Sequence, residues 1–174
     1  MIIEKEIRRP IERPLVFLKG KLQLQDPTYF INKINEGVEL ENNNSYKTSV
    51  LGKMTSWNFF CQDKEFLKLY GEINDYVNDF FTHKYVLADA WGNRHENFDR
   101  TVLHDHIPSI WSGAIYFNKN PQKLIFPEIN EELEPDVGAF VVFSSFLNHY
   151  TKTIFHEKPK YGISFNTRHL PISE

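Results

Sequence analysis

Leu103-His-Asp-His-Ile-Pro-Ser-Ile-Trp-Ser-Gly-Ala-Ile-Tyr-Phe117 is the stretch on which the reading of this chain turns. Its second half, residues 110–117, is a short aromatic and β-branched run of the kind that forms a strand. Its first half sets two histidines one residue apart. Side chains at i and i+2 of an extended backbone leave the same face, so His104 and His106 can converge on one point while Asp105 faces away, unless the chain bulges there and swings Asp105 in as the ligand instead. A second apolar run, Gly138-Ala-Phe-Val-Val-Phe143, is followed by a bend at Ser144-Ser145 and then by His149 in Phe-Leu-Asn-His-Tyr. A strand end is where a β scaffold presents a ligand, and a third imidazole there completes a candidate metal site. Imidazole suits zinc, copper, iron and nickel alike, so the residues by themselves name a class of metal before they name a reaction.

Outward from this stretch the texture is β-rich on the C-terminal side and helical on the N-terminal side. Runs at 85–91, 110–117, 123–126, 138–143, 150–155 and 161–167 are separated by turn residues such as Pro127, Pro135-Asp136 and Lys158-Pro159, the pattern of a sandwich or barrel. Upstream, residues 14–18 read as a short strand. Asp26 and Pro27 are a helix start, Asp as cap and Pro at the first helical position. Residues 41–45 are polar loop. From Asp63 to about Phe81 the apolar residues Phe66, Leu69, Tyr70, Ile73, Val77 and Phe80 recur at helical spacing. The expectation is one α+β domain over residues 1–174, with 1–83 a mostly helical support carrying an N-terminal strand and 84–169 a β-rich metal-binding core.

Composition narrows the function. At 174 residues one domain is the prior, and a 15% aromatic content with 15 Phe points to a bulky core. A net charge of -3 gives no electrostatic reason to expect nucleic acid or an anionic membrane as partner. The single cysteine, Cys61, excludes an internal disulfide framework and fits a reducing compartment. Met1-Ile-Ile-Glu-Lys-Glu puts charges where a signal peptide needs an apolar stretch, and no apolar run approaches the ~20 residues of a membrane span. A cytoplasmic protein is expected; a homodimer is one of the forms open to it.

The ordered set His104-x-His106-x-x-Ser109-x-x-Ser112-Gly113-x-x-Tyr116, Leu124-Ile-Phe126, Pro135-x-x-Gly138-x-Phe140-Val-Val-Phe143, His149 and Ile163-Ser-Phe-Asn166 resembles the Fe(II)/2-oxoglutarate-dependent oxygenases. It is most similar to a prolyl-4-hydroxylase-like branch with a His-x-His...His motif. Thr55-Ser56 and Trp91-x-Asn93 also fit, and the resemblance spans roughly residues 50–168. It implies a double-stranded β-helix (jelly-roll) core with supporting helices on one side. It makes His104, His106 and His149 the catalytic metal ligands, with histidine at 106 where most of the superfamily has Asp or Glu. Three neutral imidazoles leave the charge of a divalent ion at +2, which favours a dianionic co-substrate. The implied cofactors are Fe(II), 2-oxoglutarate as co-substrate and O2, with release of succinate and CO2 and hydroxylation of a peptide, protein or small molecule.

The resemblance also implies an anchor for the distal carboxylate of 2-oxoglutarate. Lys160, eleven residues after His149, holds the matching place, and Arg168 is the alternative. Tyr116 is expected to donate its hydroxyl to the same carboxylate, and Asn93 and Asn166 to hydrogen-bond co-substrate or substrate. Substrate identity is assigned to loops at 93–103 and 127–136. Of the other histidines, His83 reads as a dipole partner at a helix end, and His95, His156 and His169 as surface residues. Trp91 and Trp111 read as packing residues. Two alternatives remain: a cupin-like three-His zinc enzyme, for which little in the sequence supplies a companion general base, Glu96 and Asp99 being merely nearby in sequence, and a non-enzymatic jelly-roll structural or assembly module.

Overall fold

A computed structural model describes residues 15–41, 48–79 and 84–170. The start of the expected first strand at Pro14, residues 42–45 of the polar loop, the last residues of the long helix (Phe80 and Phe81) and His83 lie outside the described residues.

In chain order the elements are β1 (Phe17–Lys21), α1 (Pro27–Leu40), β2 (Val50–Leu51), β3 (Lys53–Met54), α2 (Lys64–Asn78), β4 (Tyr85–His95) and β5 (Arg100–Thr101). They continue with β6 (Trp111–Tyr116), β7 (Leu124–Phe126), a 3-10 turn at Pro127–Ile129, β8 (Glu131–Leu133), β9 (Ala139–Ser144), β10 (Tyr150–Thr151) and β11 (Lys160–His169). Both helices start as the sequence dictates. The Asp26 carboxylate accepts the N–H groups of Thr28 and Tyr29, and the Asp63 carboxylate accepts that of Phe66. Asp63 also accepts the Tyr29 hydroxyl at 2.6 Å, which ties the two helix starts together.

The strands build a double-stranded β-helix. The main sheet runs β1-β9-β6-β11-β4-β3, a second runs β10-β7-β8, and β2 pairs with β5. Residues 1–83 therefore contribute more than helices and one strand: β3 joins the main sheet through β4, and β2 pairs with β5. All six residues of β6 are buried, as a strand covered on both faces requires. Alternation then assigns the faces. Trp111 and Ile115 of β6 and Ile163 and Phe165 of β11 pack with Phe30, Ile34, Phe66 and Ile73 of the helices. Ala114 and Tyr116 face the other way, in a second cluster with Phe126, Phe143 and Leu147. The larger aromatic core thus lies between sheet and helices, and the inward face carries, beside this second cluster, small and polar residues such as Ser112, Gly162, Ser164 and Asn166.

Two glycines permit this packing. A Cβ on Gly113 would lie 2.3 Å from the Phe165 ring, so the ring lies flat across β6 only because none is there. Gly138 has φ +79° and turns the chain into β9, its carbonyl accepting the Leu22 N–H at 2.9 Å.

Three strands differ from their sequence reading. The first, expected at residues 14–18, runs Phe17–Lys21, where β9 pairs with it. β4 continues four residues past Trp91, because β11 pairs with it along its whole length and supplies the ladder that the polar tail Gly92-Asn-Arg-His95 does not advertise. The run 150–155 keeps strand form only at Tyr150–Thr151, where β7 pairs with it. No helix among the described residues is long and apolar enough to cross a membrane.

Candidate metal centre

The two histidine segments meet through their backbones. His104 and His149 form an isolated antiparallel bridge, His104 N–H to the His149 carbonyl at 3.2 Å and His149 N–H to the His104 carbonyl at 2.9 Å. His106 N–H donates to the Ser145 carbonyl at 2.8 Å. Extended geometry at 104–106 is thus imposed by the partner segment rather than by a regular strand. The ring centroids of His104 and His149 are 4.4 Å apart, those of His106 and His149 4.9 Å, and those of His104 and His106 5.0 Å. One nitrogen from each ring lies within 4.8 Å of the other two.

Hydrogen bonds fix which nitrogens these are. His104 Nδ1 lies 2.8 Å from the Val102 carbonyl and His149 Nδ1 lies 3.1 Å from the Leu147 carbonyl. Carbonyls only accept, so both Nδ1 atoms carry the proton. His106 Nδ1 lies 2.7 Å from Asn166 Oδ1. The Asn166 amide is oriented by Asp89, whose carboxylate accepts its Nδ2 at 2.8 Å, while Ser112 Oγ donates to Oδ1 at 2.6 Å. His106 is therefore also protonated on Nδ1. All three Nε2 atoms present lone pairs to one another, two of them 3.1 Å apart.

Burial keeps them that way. It holds the His106 imidazole down to about 4, pushes His149 well below the usual histidine range and lowers His104; the neighbouring imidazoles push His106 and His149 further in the same direction. At neutral pH three uncharged nitrogen donors converge with no proton between them. That donor set fits a borderline divalent ion, Fe(II), Ni(II) or Zn(II). Asp105 stands apart: it is exposed, and its carboxylate accepts the Ile107 N–H at 3.0 Å.

A cavity runs from the histidines along the inward face of the sheet. Its walls include Trp91, Asn93 and His95 of β4, Ala114 and Tyr116 of β6, and Lys160, Gly162 and Ser164 of β11, the i, i+2 sets that alternation aims inward. On the other side of His104 and His106 an open groove is lined by Ser49, Val50, Trp57, Asp89, Val102, Ile107 and Pro108.

No family model matches the sequence, and no curated protein matches it. Solved structures do. Over 88% of this chain and 96% of the other, it superposes on the viral collagen prolyl hydroxylase of Paramecium bursaria Chlorella virus-1, solved as its 2-oxoglutarate complex, with TM-score 0.68 at 14% identity. A Pseudomonas putida prolyl-4-hydroxylase gives 0.66 at 14% identity, over 89% of this chain and 93% of the other. The non-heme α-ketoglutarate-dependent epimerase SnoN of nogalamycin biosynthesis gives 0.67 at 9% identity, over 88% and 77%. This chain has the 2-oxoglutarate oxygenase fold.

On that fold the residues singled out by sequence distribute as follows. His104, His106 and His149 come together. Lys160 lines the cavity at 4% exposure, with its Nζ 5.7 Å from the centroid of the Tyr116 ring. It makes no hydrogen bond or ion pair among the described residues, and burial pushes its amine down to about 7. Tyr116 is buried in the same wall, which raises its hydroxyl. Asn93 donates to Ser164 Oγ at 3.0 Å, and its Oδ1 is buried without a partner. Arg168 is exposed near the end of β11 and lines neither the cavity nor the groove. Asn166 holds His106 rather than lying free. Of the loops expected to meet substrate, Asn93, Thr101 and Val102 line the cavity or the groove, whereas nothing from 127–136 does.

The surface assignment of His95 and His156 is corrected: they are 3% and 5% exposed. The inward register of β4 buries His95, where Gln122 satisfies it, and His156 Nδ1 donates to the Lys158 carbonyl at 2.8 Å. His169 is exposed, as read. Trp111 packs in the aromatic core, whereas Trp91 lines the cavity as well as packing on Trp57. Glu96 is engaged by Lys53 and Arg94, and Asp99 by the Glu96 N–H; neither lines the cavity. Sequence reasoning missed Asp89 and Gln122, whose importance lies wholly in distant partners.

Replacing Asn166 by Ala removes the group that fixes the His106 tautomer and is expected to weaken divalent-metal affinity about 10- to 100-fold. Asp105→Ala is expected to leave it unchanged. Competition against a chromophoric chelator reads both; a loss confined to Asp105→Ala contradicts the histidine cluster as the site.

Proposed function

We propose that the protein is an Fe(II)- and 2-oxoglutarate-dependent dioxygenase, with His104, His106 and His149 as the metal ligands and Lys160 as the anchor of the co-substrate. The observation that carries this reading is one cavity lined both by three neutral imidazoles and by a buried lysine that has no partner among the described residues. 2-Oxoglutarate has the matching form, a 2-oxo acid that chelates a metal and a second carboxylate that needs a cation. When bound, the iron, 2-oxoglutarate and O2 together supply oxidative decarboxylation to succinate and CO2 and the oxidation of a substrate C–H bond.

The chain's own residues do the rest. The three Nε2 atoms would hold the metal without adding negative charge, so the chelating carboxylate of the co-substrate would lower its charge from +2 to +1 while the distal carboxylate is matched by Lys160. Asn166 and Asp89 keep His106 in its metal-binding tautomer. The Lys160 ammonium binds the distal carboxylate where burial makes the pair strong, and Tyr116 and Asn93 supply further donors along the wall. The groove beside His104 and His106 is the approach for the substrate. Hydroxylation of a peptide or protein side chain is the reaction type that the collagen prolyl hydroxylase neighbour suggests. The free thiol Cys61 fits a reducing, cytoplasmic setting. For a zinc hydrolase the companion base is poorly supplied among the described residues: Glu96 and Asp99 are engaged outside the cavity, and of the carboxylates lining the groove Asp89 is held by the Asn166 amide and Asp105 by the Ile107 N–H.

Anaerobic addition of Fe(II) and 2-oxoglutarate is expected to give a visible charge-transfer band that requires both, and admission of air to release succinate. Tight zinc binding without the band supports the zinc reading, and no metal binding supports the structural module.

Lys160→Ala is expected to weaken 2-oxoglutarate binding by about 30-fold or more, the ~2–5 kcal/mol of a buried charge pair truncated on one side, while iron affinity is unchanged. The pH dependence has a definite sign. The free lysine titrates at about 7, so above that pH the ammonium must be regained on binding. Apparent affinity is flat below about pH 7 and falls about tenfold per unit above it. Calorimetry across pH 6–9 measures this; a flat profile with a silent Lys160→Ala moves the anchor elsewhere.

A further inference from the structure

His95 stands directly across from Lys160. The two are Cα partners in the β4–β11 ladder, so their side chains leave the same face with Cβ atoms about 4.5–5.5 Å apart. Both are buried and both line the cavity.

The tautomer of His95 is set from behind. Gln122 Nε2 donates to the carbonyls of Asp99 at 2.6 Å and Lys152 at 2.9 Å, which turns its Oε1 toward His95 Nδ1 at 2.9 Å. A carboxamide oxygen only accepts, so Nδ1 carries the proton and Nε2 presents a lone pair. Burial, with the charge of Lys160 beside it, holds the His95 imidazole down to about 3, so it remains a neutral acceptor throughout the physiological range. The centroid of the Tyr116 ring from β6 lies 5.7 Å from the Lys160 Nζ, and His156, from the loop before β11, faces His95 and has its Nε2 buried without a partner among the described residues. Among the described residues no carboxylate is paired with the lysine.

An ammonium has three N–H donors, and a bound carboxylate takes one or two. A donor left toward the β4 wall costs ~1–3 kcal/mol unless something accepts it. An aspartate or glutamate at position 95 would accept it but would also neutralise the lysine and compete with the incoming anion. A neutral imidazole stabilises the cation without cancelling its charge.

We propose that His95 is the positioning residue of the co-substrate anchor: its Nε2 is the acceptor, across the ladder, to which the Lys160 amine, not hydrogen-bonded in this structure, turns once it is charged, and so holds that cation against the distal carboxylate. The identity of the anion rests on the oxygenase reading; the support that His95 gives to Lys160 does not.

The test compares wild type, His95→Leu and His95→Gln on the Fe(II)-loaded protein without oxygen. Calorimetry gives the 2-oxoglutarate affinity at pH 8, and NMR of lysines labelled at Cε gives the titration midpoint of Lys160 without 2-oxoglutarate. His95→Leu is expected to weaken 2-oxoglutarate about tenfold and to move the Lys160 midpoint about one pH unit lower, the equivalent of one unmade hydrogen bond. His95→Gln, whose amide oxygen accepts, is expected to stay within about threefold of wild type. Iron affinity is unchanged in both. An unmoved Lys160 midpoint in His95→Leu overturns the proposal, even where binding is lost, and so do equal losses in the two variants. If the wild-type protein binds iron but no 2-oxoglutarate, the oxygenase reading fails, while the lysine titration still decides the role of His95.

Discussion

Three imidazole lone pairs pointed at one another, two of them 3.1 Å apart, repel, and burial removes the water that would screen them. Each ring is locked into this orientation by its other nitrogen, which donates to a backbone carbonyl or to the Asn166 side chain. Protonating one ring would relieve the clash, but desolvation holds all three imidazoles down. A divalent cation relieves it and gains three bonds. Much of the surrounding fold serves this arrangement: the His104–His149 bridge, the seat of His106 on the Ser145 carbonyl, and the Asp89–Asn166 pair that joins β4 to β11.

Histidine at position 106 changes the electrostatics of the whole cavity. With no protein carboxylate on the metal, negative charge must come from what binds there. Along the same wall the sheet buries Lys160 with no counter-ion among the described residues and faces it with a neutral imidazole. The protein thus leaves two positive demands unmet within one enclosed space. A ligand with two carboxylates meets both, and a monoacid meets one.

Much of this was legible locally. The strands β6, β9 and most of β11, the Asp26-Pro27 and Asp63 helix starts, and the shared face of His104 and His106 all follow from spacing and capping, which are properties of neighbouring residues. The polar end of β4 was not legible, because its strand form comes from pairing with β11 rather than from its own alternation. For the same reason His95 read as a surface residue: nothing within Arg94-His95-Glu96 reveals that Lys160 and Gln122 lie beside it. Asp89 and Asn166 are 77 residues apart, and Asn166 lies 60 from His106. Asn166 was visible as a polar residue near the site; its task of holding a ligand upright depends on a contact that sequence spacing does not encode.

Iron K-edge X-ray absorption on the anaerobic Fe(II) protein tests the three-histidine centre most directly. Three imidazole rings bound to the metal, seen in the outer-atom scattering of the spectrum, are the predicted result. Two imidazoles with a protein carboxylate, or iron held by water alone, would contradict it.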